Sequence, residues 1–134
     1  MAKNKRYFED GYPYFITTVT HNREQIFANM KNSKIILVML EFFKLTLNYK
    51  IFAYCLMPDH LHIILQPDGK KVWQERFYDT GIRSIGMLLQ KIEYIHNNPV
   101  RAGIATQPDH YPLSSYAHYF GKHYSGIPEI DQLT

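Results

Sequence analysis

Cysteine is almost absent: Cys55 is the only one in 134 residues, which excludes an internal disulfide and a zinc site built from several thiolates and suits a reducing compartment. Tryptophan is as scarce, with Trp73 alone against eleven tyrosines. No apolar run approaches the roughly 20 residues that a membrane-spanning helix needs. The basic N-terminus, Met1-Ala2-Lys3-Asn4-Lys5-Arg6, has no apolar stretch behind it that would make a secretory signal. Internal repeats and low-complexity linkers are missing too. Charge is sparse: 20% of residues are charged, the formal net charge is +3 and the pI is near 8.9. That balance favours a polyanionic partner without demanding one. A chain that is 46% hydrophobic at this length builds one core and is short for two. The expectation is a single cytoplasmic domain over 1–134, with a basic arm at 1–12 and an irregular aromatic tail at 104–134.

What is abundant is aromatic: 15% of residues, many of them tyrosines interleaved with Lys, Arg and His. Such a mixture suits unpaired bases stacking beside a charged backbone, and it equally suits ordinary core and rim tyrosine. Tyr14 to Thr20 is β-branched and aromatic and reads as a first strand. From Lys34 to Tyr49 the apolar positions Ile35, Val38, Met39, Phe42, Phe43 and Thr46 recur at three and four, predicting a helix capped by Asn32 or Ser33. Ile51 to Leu56 and His60 to Gln66 predict two neighbouring strands about a tight Met57-Pro58-Asp59 turn. Val72 to Asp79 reads as either a short strand or an ordered loop. Ser84 to Asn98 predicts a second helix, with Ile85, Leu88, Leu89, Ile92 and Ile95 as its inner stripe and Pro99 as its stop. This order gives an α+β domain, an antiparallel sheet with helices covering one face.

Two constellations carry chemistry. On a strand, residues i and i+2 point to the same side, so His60 and His62 converge while Leu61 faces the core. Two neutral imidazoles make half of a divalent-metal site whose other positions take oxygen ligands; the plain alternative is two polar positions on a solvated strand face. On the late helix, Tyr94 and Asn98 are four residues apart and face one point. There a phenol can act as a nucleophile on phosphorus, with the amide oxygen completing a metal shell; the plain alternative is a rim tyrosine and an amide cap before Pro99. His96, two residues from Tyr94, points away and reads as a surface histidine. Lys70, Lys71, Arg76, Arg83 and Arg101 cluster in sequence about these motifs and suit DNA phosphates or a solvated charged face.

The strings themselves resemble a known family. Tyr54-Cys55-Leu56-Met57-Pro58-Asp59-His60-Leu61-His62 looks like the metal hairpin of the IS200-like, single-tyrosine (HUH, Y1) transposases. Trp73-Gln74-Glu75-Arg76-Phe77-Tyr78-Asp79, then Tyr94-Ile95-His96-Asn97-Asn98-Pro99-Val100-Arg101-Ala102-Gly103, then Tyr111-Pro112-Leu113-Ser114-Ser115-Tyr116 resemble the branch associated with repetitive extragenic palindromes. The resemblance implies a ferredoxin-like fold in which His60 and His62 hold Mg²⁺ or Mn²⁺, Asn98 is a third ligand and Tyr94 is the nucleophile. It implies cleavage and rejoining of single-stranded DNA hairpins through a 5′-phosphotyrosine. It leaves two matters open: whether the protein works as a monomer or a homodimer, and whether it cuts hairpins or only binds them. Two departures stand out. Asp59 replaces the usual asparagine, and only Pro67 to Val72 separates the hairpin from the Trp73 stretch, where relatives carry another helix.

Overall fold

A computed structural model of the chain describes residues 12–67 and 80–120. Strand β1 (Tyr14–Val19) leads through two short 3-10 turns to helix α1 (Met30–Leu47) and then to the hairpin of β2 (Lys50–Met57) and β3 (His60–Gln66). A two-residue strand β4 (Thr80–Gly81), helix α2 (Ile85–Arg101) and a single helical turn α3 (Tyr116–Tyr119) follow. The sheet order is β2-β3-β1-β4, antiparallel at every junction. β1 and β2 both flank β3, so they run parallel to each other and are joined by α1, a split βαβ unit.

The α+β class and the antiparallel sheet agree with the sequence reading; the layering corrects it. Leu61, Ile63 and Leu65 of β3 pack in a cluster with Ile36, Leu37 and Leu40 of α1, whereas Ile64 packs with Leu88, Ile92 and Ile95 of α2. Side chains alternate across a strand, so α1 and α2 cover opposite faces rather than one. Among the described residues α2 follows β4, whereas in a ferredoxin-like βαββαβ unit the second helix lies between the third and fourth strands. Cover on both faces also explains why β2 reads as a continuous apolar run: every residue from Ile51 to Met57 is buried.

Helix α1 turns the other way from its expected stripe. Ile35, Val38 and Phe42 are 59%, 62% and 56% exposed, while Leu37 is 3% exposed. The helix also starts earlier, at Met30, with Asn29 as its cap, accepting from the Lys31 amide at 2.8 Å. Asn32 and Ser33, the expected caps, instead donate to the Ile26 and Phe27 carbonyls at 2.9 and 2.6 Å. Those bonds set the line Ser33, Leu37, Leu40 against the sheet. Spacing alone had no power to choose the face, because α1 is apolar on both sides. Leu37→Ala is therefore expected to cost about 2–4 kcal/mol in urea unfolding. Val38→Ala, on the expected stripe, should stay within about 0.5 kcal/mol.

Helix α2 starts as expected, with Ser84 Oγ accepting from the Met87 amide at 3.1 Å. It does not stop at Asn98: it runs through Pro99 to Arg101. Proline removes one intrahelical donor, and in a last turn that loss is small. The Pro99 carbonyl in turn accepts from the amides of Ile104 and Ala105, at 3.0 and 3.2 Å. Leu88, Ile92 and Ile95 face inward as expected, while Leu89 is 52% exposed. The described part of the tail, up to residue 120, is stitched to β2, an outer strand of the sheet. Leu56 N donates to Leu113 O at 2.8 Å, Ser115 N to Tyr54 O at 2.9 Å, and the hydroxyls of Tyr111 and Tyr119 donate to the Leu56 and Phe52 carbonyls. Unpaired edge groups thereby find partners. The expected ambiguity over Val72 to Asp79 lies outside the described residues.

Candidate active site

Strand β3 delivers His60 and His62 to the α2 side of the sheet, with ring centroids 4.7 Å apart. His62 is 7% exposed, so this face is covered rather than solvated. Its Nδ1 lies 2.8 Å from Oγ1 of Thr17, the residue directly opposite on β1, and its ring stacks on Phe15 at 5.5 Å. His60 Nδ1 lies 2.7 Å from Asp59 Oδ1, and its Nε2 lies 3.0 Å from Asn98 Nδ2. The hydrogen bond to His60 holds the Asp59 carboxyl below the usual range, with the Arg23 guanidinium, 3.3 Å away, adding to it. An ionised carboxylate only accepts, so His60 Nδ1 donates to it and Nε2 is the ring nitrogen that faces Asn98.

Helix α2 supplies the other wall. Lys91, Tyr94, Asn98 and Arg101 follow one another at three, four and three, making one stripe beside the buried one. Asn98 reaches His60, and the Tyr94 ring lies 5.9 Å from the His62 ring and 5.9 Å from Phe15. Two cations flank the phenol: Arg101 Cζ is 4.0 Å from the ring centroid and Lys91 Nζ is 5.8 Å from it. Tyr94 is 44% exposed, so a large substrate can reach the hydroxyl.

The sequence-derived residues His60, His62, Tyr94, Asn98 and Arg101 thus meet in one place within one chain. Arg83 stands apart, its guanidinium 4.8 Å over the Tyr12 ring. Lys70, Lys71 and Arg76 lie outside the described residues. Sequence reasoning missed Phe15, Thr17 and Lys91. The signal for Lys91 was its place three residues before Tyr94; Thr17 needed the β1–β3 register, which composition does not supply.

Among the described residues no group of three or more His, Cys, Asp or Glu is placed to hold a cation. The donor set fits a divalent ion differently: two imidazoles and one amide. Each ring is oriented through its Nδ1, by Asp59 and by Thr17, the arrangement that aims Nε2 of a histidine ligand. Reversing the Asn98 amide presents Oδ1 in place of Nδ2.

His96 corrects an expectation. It points away from Tyr94, as its spacing requires, yet it is 4% exposed, with Nε2 2.8 Å from Ser115 Oγ and Tyr116 and Tyr119 against its ring. It ties the tail to α2. Burial pushes its pKa down to about 4, so the folded state holds it neutral. A depressed histidine stabilises fully above its unfolded value and loses that contribution as pH falls toward the folded one. Urea unfolding is expected to show about 3 kcal/mol lost between pH 7 and pH 4 through this group. His96→Gln should flatten the slope in that window.

Residues 10–72 match the family model described as Transposase IS200 like. The chain is 24% identical over 138 residues to the REP-associated tyrosine transposase of Escherichia coli (strain K12), covering 87% of this chain and 83% of that protein. It is 23% identical to a putative REP-associated tyrosine transposase of Haemophilus influenzae (strain ATCC 51907 / DSM 11121 / KW20 / Rd), with 97% of each covered. Its fold matches a solved REP-associated tyrosine transposase bound to a REP hairpin, at a TM-score of 0.68 and 20% identity over 91% of this chain and 94% of that one. This chain is therefore similar over residues 10–72 to the IS200-like transposases, and similar in sequence and in fold to REP-associated tyrosine transposases.

Proposed function

We propose that the protein is a metal-dependent endonuclease and strand transferase acting on single-stranded DNA hairpins, with Tyr94 as nucleophile. The observation that carries this reading is the meeting, in one chain, of Tyr94 with His62 at 5.9 Å and of His60 with Asn98 at 3.0 Å. Nε2 of His60 and of His62 and the amide oxygen of Asn98 would hold Mg²⁺ or Mn²⁺, which polarises a scissile phosphate and offsets the charge that develops on it.

The side chains do the rest. Asp59 and Thr17 orient the two imidazoles, and Asn98 spans from α2 to the hairpin. Lys91 brings positive charge beside the phenol, where a phosphodiester backbone must pass. The Tyr94 oxygen attacks phosphorus in line, a Tyr94 Oη–P bond forms and the P–O3′ bond breaks. The phenol gives up one proton and the departing 3′-oxygen takes up one, leaving a 5′-phosphotyrosine and a 3′-hydroxyl with no change of oxidation state. Attack by another 3′-hydroxyl reverses the step, so no nucleotide cofactor is consumed. Hairpin shape and splayed bases stacked on the aromatic surface give selectivity.

The test is chemical. The protein is incubated with a labelled single-stranded hairpin and Mn²⁺, trapped, digested and mapped by mass spectrometry. The reading expects a nucleotide on the peptide carrying Tyr94. Binding without any adduct sinks it and assigns the chain to hairpin recognition without cutting.

A further inference from the structure

Arg101, whose basic character suits either a DNA phosphate or a solvated charged face, has a specific geometry at the end of α2. Because the helix continues through Pro99, Arg101 sits two turns after Tyr94 on the same stripe. It makes two contacts with one residue. Its guanidinium lies over the Tyr94 ring, Cζ 4.0 Å from the centroid, and its Nη2 donates to the Tyr94 carbonyl at 2.6 Å. A planar guanidinium stacks and donates at once, and both anchor points belong to the proposed nucleophile. Among the described residues, Phe15 and His62 lie T-shaped to the Tyr94 ring at 77° and 75° and Lys91 Nζ is 5.8 Å from its centroid, so Arg101 is the nearer of the two cations over the ring.

We propose that Arg101 is a positioning residue for Tyr94: it clamps the phenol ring against the His62 side of the site, so that the hydroxyl meets the phosphate in one orientation. The clamp rests on the reading of Tyr94 as nucleophile. It differs from the phosphate-contact role that the basic composition suggests, because an arginine engaged with a ring and a carbonyl of its own helix orients the attacking atom rather than recruiting DNA. Pro99 belongs to the same device: a helix ending at Asn98 has no residue at this place.

Two variants separate the roles. Arg101→Met keeps much of the stem's packing, and Arg101→Lys keeps the charge without the planar fork. With 3-fluorotyrosine placed at position 94 alone, the fluorine resonance should sharpen and move toward the free amino acid's position in both variants, with DNA absent. On a hairpin at saturating concentration, the single-turnover rate of adduct formation should fall about tenfold or more in both, since small misplacements of a reacting group are that costly. Hairpin affinity should change by less than about threefold, the pattern of a lost transition-state interaction rather than lost binding. An unchanged fluorine resonance, or an unchanged saturated rate together with weakened, less salt-sensitive binding, overturns the clamp and returns Arg101 to the phosphates. If the wild type forms no adduct at all, the nucleophile reading fails, and the fluorine signal still decides whether the clamp exists.

Discussion

Tyr94→Phe is expected to lower covalent adduct formation by at least about 10³-fold while hairpin affinity and melting temperature stay close to wild type. The change removes one oxygen and keeps the ring that packs on Phe15, His62 and Arg101. Three other described tyrosines are not equipped to replace it. The hydroxyls of Tyr111 and Tyr119 donate to the Leu56 and Phe52 carbonyls, and Tyr54 is fully buried, its hydroxyl held above the usual phenol range chiefly by that burial. Denaturing gels of labelled hairpin measure the adduct, filter binding the affinity and circular dichroism the melt. Residual adduct at a tenth of wild type or more would mean that another nucleophile is at work.

The second large effect concerns the hairpin histidines. His60→Ala and His62→Ala each delete one of two imidazoles, and each is expected to weaken Mn²⁺ binding by about 10²-fold or more and to remove the adduct at ordinary metal concentrations. Asp59→Asn is a milder case. It keeps the shape and withdraws the carboxylate that orients His60, so about a tenfold loss of Mn²⁺ affinity is expected. Electron paramagnetic resonance of free Mn²⁺ reads all three directly, without DNA. Equal loss in all three variants would mean that Asp59 is itself a ligand.

The site was more legible than the fold that carries it. His60 and His62 converge because strand parity forces them to, and Tyr94 and Asn98 do so because helical spacing forces them to; neither depends on the rest of the molecule. What spacing does not contain is a partner. Thr17 orients His62 only through the β1–β3 register, and Arg101 reaches Tyr94 only because α2 continues past a proline that was expected to stop it. The inward face of α1 was misjudged for a related reason. A helix apolar on both sides has no periodicity to separate them, and the bonds of Asn32 and Ser33 to the preceding turn decide the matter. The layering is carried by strand parity in β3, where Leu61, Ile63 and Leu65 meet α1 while Ile64 meets α2, and the sequence order of elements does not contain it. Basic residues on 68–79 fall outside what the structure describes, so only Arg83 and Arg101 of the expected phosphate contacts have a described place.

The central claim is that one chain holds the whole site, nucleophile and metal ligands together. Mixing two inactive variants, Tyr94→Phe and His62→Ala, in equal amounts with hairpin and Mn²⁺ tests it most directly. The account predicts a covalent adduct with wild type and none with the mixture, because neither chain carries both halves. An adduct restored in the mixture contradicts it, since the tyrosine of one subunit would then be serving the histidines of another.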